Sequence, residues 1–235
     1  MGNSRTKISA EGKSFDVYAD NYDQILGRNL KFVTNDTSLF TRYKVEYLLS
    51  KHLSPKRILD FGCGNGKATE FLKRAFPKAE LWGCDVSESI IRAAKENYLD
   101  AGFFFITKPE DLGIYAEMFD LIFISCVVHH IDPQKRLPWV KSLASSLSFG
   151  GKIAIFEHNP YNPITRYCVA TCEFDSEAIL LSLRECKNLF QTELSYISGE
   201  YTLFFPWQAH FFQSIERLLT WLPLGGQYCV ILEKI

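Results

Sequence analysis

The sequence predicts a doubly wound α/β fold, and three observations carry that reading. From residue 57 onward, short β-rich runs alternate with helical patterns. The runs are apolar almost throughout rather than at every second position, as expected of parallel strands covered by helices on both faces. A glycine-rich bend, Asp60-Phe61-Gly62-Cys63-Gly64-Asn65-Gly66, stands between the first run and its helix. Together they predict a parallel sheet with helices packed on each side.

The elements follow in order. Residues 1–14 are polar, and residues 15–53 read as helical and aromatic, through Phe15, Tyr18, Tyr22, Phe40, Tyr43 and Tyr47. RILDF at 57–61 is the first strand, and the helix after it places Ala68, Phe71, Leu72, Ala75 and Phe76 on one face. ELWGC at 80–84 is the second; Ile90, Ile91, Ala94 and Tyr98 then recur at helical spacing, with Ser87 placed to cap. FFFIT at 103–107, DLIFIS at 120–125 and KIAIFE at 152–157 are further strands. Between the last two, Leu137, Val140, Ala144 and Leu147 have helical spacing, and Gly150-Gly151 is expected to stop that helix. NPYNP at 159–163 must be irregular, because proline disfavours regular structure before it. Asn162 and Pro163 read as a cap and a first helical residue, and Ser182 with Glu185 as a capping box. A strand is expected near 196–205, an insertion at 206–222, and a last strand in QYCVILEK at 227–234.

A chain of 235 residues can bury a core without metals or disulfides. We expect a single domain over 1–235, with an N-terminal part at 1–53, a core at 54–160, and a C-terminal part at 161–235 carrying the insertion near 204–223. With 26 Lys+Arg against 27 Asp+Glu the net charge is −1, which argues against a nucleic-acid partner. No run is apolar and long enough to span a membrane, and the N-terminus carries no apolar leader core, so a cytoplasmic location is expected. The seven cysteines form no CxxC pair and read as reduced packing residues. The oligomeric state is left open.

Alternate glycines let the bend turn tightly and approach a ligand closely. A dinucleotide fingerprint would need a third glycine where Lys67 stands; the spacing here is GxGxG, with an acid two residues ahead. This segment resembles the first motif of class I S-adenosylmethionine-dependent methyltransferases. The resemblance extends to Asp85 at the end of the second strand, to FDLIFISCVVHHI at 119–131, to LSFGGKIAIFE at 147–157, and to FDVYADNYD at 15–23, similar to a lid. It implies a Rossmann-like sheet of seven strands, mostly parallel with an antiparallel last strand, an N-terminal helical lid, a C-terminal helical insertion, and S-adenosylmethionine as cofactor. On the cofactor side it implies Asp60, Gly62, Cys63, Gly64, Gly66, Asp85, Val86 and Ser125. Lys108 stands where an adenine-contacting acid is expected, so adenine recognition there falls to backbone groups. In an open α/β sheet, ligands bind beyond the carboxyl ends of the strands, where Gly62–Gly66, Asp85, Lys108, Ser125, Glu157 and His158 all fall.

Tyr18 and Tyr22 share a helix face and are candidates to cover a sulfonium, against a plain packing stripe. Arg42 is a candidate partner for the cofactor carboxylate, against a solvated arginine. A hydroxyl nucleophile needs a base, and His130 and His158 are the best-placed candidates, with His129 the third. No metal site is expected: among His129, His130, Asp132, Glu157 and His158, no ligand spacing falls on a single element. The insertion at 204–223 is rich in aromatics and reads as a cap over the site, with core and membrane-facing readings beside it. The expected function is methyl transfer to a small apolar or aromatic-bearing molecule, at oxygen rather than nitrogen. A nicotinamide-dependent oxidoreductase and a non-catalytic cofactor-binding protein are the alternatives.

Overall fold

The structure, a computed structural model, describes residues 27–28, 34, 36, 38–98, 103–106, 109–205 and 210–235, without the side chains at 103, 104, 106, 109–110 and 210–214. Helix α1 (Leu39–Ser50) precedes strand β1 (Arg57–Phe61), α2 (Lys67–Ala75), β2 (Glu80–Asp85), α3 (Glu88–Asn97), β3 (Phe103–Ile106) and β4 (Phe119–Ser125). Then come α4 (Arg136–Ser146), β5 (Leu147–His158), α5 (Pro163–Thr171), α6 (Leu183–Phe190), β6 (Ser195–Thr202), α7 (His210–Leu219) and β7 (Gln227–Glu233). The strands form one seven-stranded sheet in the order β3-β2-β1-β4-β5-β7-β6. β1 to β5 pair in parallel, while β7 pairs antiparallel with both β5 and β6. The chain walks from β1 out to β3 and returns to β4 beside β1. This reversal of strand order opens a crevice at the carboxyl ends of β1 and β4.

The apolar runs are buried on both faces, as expected. Leu59, Phe61, Ile122, Ile124, Ile153, Ile155, Val230 and Leu232 pack with Trp139, Val140 and Leu143 of α4 and with Cys186 and Phe190 of α6. Ile58, Leu121, Phe123, Ala154, Phe156, Cys229 and Ile231 pack with Val45 and Leu48 of α1 and with Leu72 of α2. Successive strand residues point to opposite faces, so each strand feeds two cores, and both anchor the same strand tips.

The caps form where their residue types predict them. Ser87 accepts from the Ile90 amide, Asn162 accepts from the Thr165 amide ahead of Pro163 at the first turn, and Ser182 and Glu185 close a capping box. Two details differ. α4 buries Val140 and Ala144 as expected and Trp139 and Leu143 besides, while Leu137 is exposed, so its apolar stripe is broader than expected and starts later. That helix also ends at Ser146 with no help from Gly150-Gly151, which lie inside β5. There Gly150 turns with φ +74, and a Cβ on Gly151 would come within 2.8 Å of the Ser148 carbonyl oxygen. The pair shapes a kink in the strand rather than a helix stop.

Candidate active site

The bend after β1 is tied to β2 by its own backbone and by the Asp85 side chain. Gly62, Gly64 and Gly66 take φ of +70, +54 and +87, values that side chains with a Cβ rarely adopt. The amides of Gly62 and Cys63 both donate to the Cys84 carbonyl, at 2.8 and 3.0 Å, which ties the bend to the tip of β2. On its other side Gly62 lies so close to the segment after β4 that an added Cβ would overlap the Val127 side chain. At Gly64 the opposite holds: among the described residues no atom stands within 4 Å of where a Cβ would be. The chain thus presents bare backbone to open space at the point where the strand order reverses, which suits a close-packed ligand.

Asp85 stands beside this opening. One carboxylate oxygen accepts from the Gly64 amide at 3.1 Å and the other from the Ser87 amide at 3.0 Å, so its orientation is fixed by the bend and by the cap of α3 together. Val86 packs half-buried against the α4-side core. Asp60 lies beneath the bend, 1% exposed, where its carboxylate accepts from the Thr69 hydroxyl at 2.6 Å. Burial raises its carboxyl to about 7 and the nearby Asp85 charge adds to the effect, while the Thr69 hydrogen bond opposes it. The Cys63 side chain is buried in a small cluster with Ile91 and Ala94, its sulfur 3.5 Å from the Gly64 carbonyl.

At the tip of β4, Ser125 does not stand alone. Lys44 of α1, 5% exposed, donates to Ser125 Oγ at 2.7 Å and lies 3.4 Å from Cys126 Sγ. Cys126 takes φ +58, a strained value for a residue with a side chain. The Gln227 amide nitrogen lies 3.2 Å from its sulfur and 3.5 Å from His158 Nδ1. Burial alone would raise the Cys126 thiol; the Lys44 charge, helped by His158, brings it down to about 6. Gln227 Oε1 is buried with no hydrogen-bond partner among the described residues, an acceptor that suits a donor on a ligand. Lys44, Cys126, His158 and Gln227 therefore surround one wall of the crevice.

The other histidines sit differently. Glu157, 1% exposed, accepts from the amides of Val127 and Val128 at 3.0 and 2.7 Å, and His129 Nδ1 lies 2.5 Å from its second oxygen. Burial would raise Glu157, but the His129 charge and these hydrogen bonds hold it down at about 2. Burial would lower His129; the Glu157 charge outweighs this and lifts it to about 10. His130 is pushed down to about 4, first by burial and then by the His129 charge. Asp175, in a short turn at Glu173–Asp175 after α5, faces both rings, 3.6 Å from His129 Nε2 and 3.3 Å from His130 Nε2.

Of the residues singled out in the sequence, the structure brings together Gly62, Gly64, Gly66, Asp85, Ser125 and His158 around the crevice, with Asp60 directly below. His129 is sealed against Glu157, and His130 faces Asp175. Arg42 forms an ion pair with Asp36 at 2.9 Å, with both side chains more than a third exposed. Tyr18, Tyr22 and Lys108 lie outside the described residues. Sequence reasoning missed Lys44, Cys126, Gln227 and Asp175. None of them carries a local signal; Lys44 is the charged residue among those α1 buries, which only the packing reveals.

Comparison with known proteins places the chain among methyltransferases. A family description, "Methyltransferase domain", matches residues 58–151. The chain is 36% identical over 213 residues to the trans-aconitate 2-methyltransferase of an Acidovorax species, covering 81% of this chain and 79% of that protein. It is 30% identical over 148 residues to the demethylmenaquinone methyltransferase of Thermotoga maritima, an alignment covering 63% of this chain and spanning 61% of that protein. Among solved structures, a SAM-dependent methyltransferase from Thermotoga maritima, described as a possible histamine N-methyltransferase, superposes with a TM-score of 0.69 at 17% identity. That superposition covers 96% of this chain and all of the other, and at such low identity it speaks for the fold alone.

Proposed function

The chain belongs to the class I S-adenosylmethionine-dependent methyltransferase family, and from that premise we propose that it methylates an oxygen of a small anionic molecule with an apolar or aromatic body. The observation that carries this reading is Lys44, a buried ammonium at the tip of β4 beside His158 and Gln227. A buried cation attracts an oxyanion and keeps it ionised, hence nucleophilic; the same charge repels a protonated amine. The name of the Acidovorax relative, whose stated substrate is a polycarboxylic acid, supports the same preference.

The cofactor fits the residues present. The glycine bend leaves open space at Gly64 for close approach, and Asp85 presents a fixed carboxylate beside it for the ribose hydroxyls. When bound, S-adenosylmethionine supplies a methyl group on a sulfonium, which a nucleophile in line with the carbon–sulfur bond displaces. The chain's part is to align that nucleophile and exclude water. Lys44 and the Gln227 amide hold the acceptor, and His158 is the residue positioned to take a proton when the acceptor arrives as a neutral hydroxyl. His129 is committed to Glu157 and does not reach the acceptor. We further read the whole chain as one domain, supported by β7 pairing with β5 in a single sheet. The C-terminal insertion is read as a cap, supported by Glu216 of α7, which lies against Tyr43 of α1, the helix that carries Lys44, and accepts from the amides of Phe204 and Phe205 at 2.6 and 3.2 Å.

Methyl-labelled S-adenosylmethionine offered with a panel of small carboxylic acids, phenols and amines tests the proposal. Label should enter oxygen acceptors. Lys44→Met should raise KM for them by about tenfold, the loss of one charged contact. His158→Ala should lower kcat on neutral hydroxyl acceptors and leave carboxylate acceptors nearly unchanged. Label found only in amines would overturn the oxygen assignment.

A further inference from the structure

We infer that His129 Nε2, His130 Nε2 and Asp175 Oδ1 form a three-ligand site for one divalent cation of the zinc type, beside the methyl-transfer crevice, where the His158 ring stands 5.0 Å from that of His129. Three observations meet here. The three ligand atoms all lie within 4.8 Å of one another. His129 Nε2 is buried with no hydrogen-bond partner among the described residues, on a residue 1% exposed, and it is aimed at the other two. His129 Nδ1 is held by the Glu157 carboxylate at 2.5 Å, the carboxylate–histidine arrangement that orients a metal-binding imidazole and turns the lone pair of its other nitrogen outward.

A cation here competes with a proton, because Glu157 and Asp175 both favour the protonated His129 imidazole and the ion must displace the proton on Nε2, which stands 3.6 Å from Asp175 Oδ1. Ligands bound at roughly 2.0–2.1 Å in a tetrahedral arrangement stand about 3.4 Å apart. The observed 3.6 and 3.3 Å from Asp175 to the two imidazoles bracket that value, while the two imidazole nitrogens lie within 4.8 Å of each other and would close onto the ion. Two imidazoles and a carboxylate are a donor set that zinc accepts, with a fourth position left for water or an anionic oxygen. Such an ion would clasp the turn at Glu173–Asp175 onto the segment after β4, where the Ile179 amide already donates to the His129 carbonyl. No local spacing announces the site, because its third ligand lies 45 residues beyond His130 in sequence (175 − 130).

Cobalt(II) titration of the full chain, followed by its visible absorption and by displacement with zinc, tests this without any measurement of methyl transfer. One equivalent of tetrahedral cobalt should bind, lacking the near-ultraviolet band of thiolate ligation that any of the seven cysteines would give. His130→Ala and Asp175→Asn should each weaken binding at least tenfold, and the exposed Asp132→Asn should leave it unchanged. His130 is the more exposed of the two imidazoles, so His130→Ala carries the test even where Asp175→Asn does not fold. Absence of a stoichiometric tetrahedral spectrum, thiolate character in it, or a spectrum that survives His130→Ala would overturn the assignment.

Discussion

Asp60 shows how one residue can serve a site at a cost to the fold. Its carboxyl, raised to about 7 from an ordinary 3.8, stays protonated in the native chain after the unfolded chain has ionised. The resulting contribution is fully present below pH 3.8 and is lost as pH rises through about 7, a difference of roughly 4 kcal/mol at most. Asp60→Asn cannot ionise and keeps an oxygen for Thr69. Urea unfolding of the ligand-free protein should therefore show the variant gaining on the wild type between pH 4 and 7, with no further gain above; parallel pH profiles would contradict the assigned burial cost. The acid before the glycines was legible because it abuts a strand and a bend in an unbroken stretch of sequence. Lys44 was not, since a lysine in an amphipathic helix ordinarily reads as solvated; only the packing of α1 across the tip of β4 takes it out of water.

At the scale of elements, the glycine bend separates two roles that look alike in sequence. Gly62 and Gly64 both need a left-handed backbone, but Gly62 abuts Val127 whereas Gly64 faces open space. Gly62→Ala should lose about 2–4 kcal/mol of stability, combining left-handed strain with overpacking. Gly64→Ala should lose only about 1–2 kcal/mol from the backbone, while its Cβ fills the cradle and weakens cofactor binding out of proportion. Thermal unfolding with S-adenosylhomocysteine titration of both variants checks the contrast, and equal effects on both readouts would contradict it. The strands, the Ser87 and Asn162 caps and the Ser182–Glu185 box were readable because their signals are local. The end of α4 was misread: Gly150-Gly151 carries a helix-stop signal, but pairing of β5 with β4 claims the chain from Leu147 onward. Tertiary pairing outweighed the local preference there.

For the molecule as a whole, the fold class followed from the alternation of buried runs and amphipathic helices, and the strand order then fixed where the crevice must open. What the alternation could not give is how distant segments meet at the strand tips. Cys126 follows the end of β4, His158 ends β5 and Gln227 opens β7, and only the antiparallel insertion of β7 beside β5 brings Gln227 to the other two. The central claim is that this crevice holds an adenosine-bearing sulfonium, and calorimetric titration of the intact chain with S-adenosylhomocysteine, S-adenosylmethionine and NADH tests it most directly. One molecule of either sulfur ligand should bind per chain, with an affinity lowered about 5–150-fold by Asp85→Ala through the loss of roughly 1–3 kcal/mol of charged hydrogen bonding, and NADH should give no heat. Binding of NADH in their place, or sulfur-ligand affinity indifferent to Asp85, would contradict it.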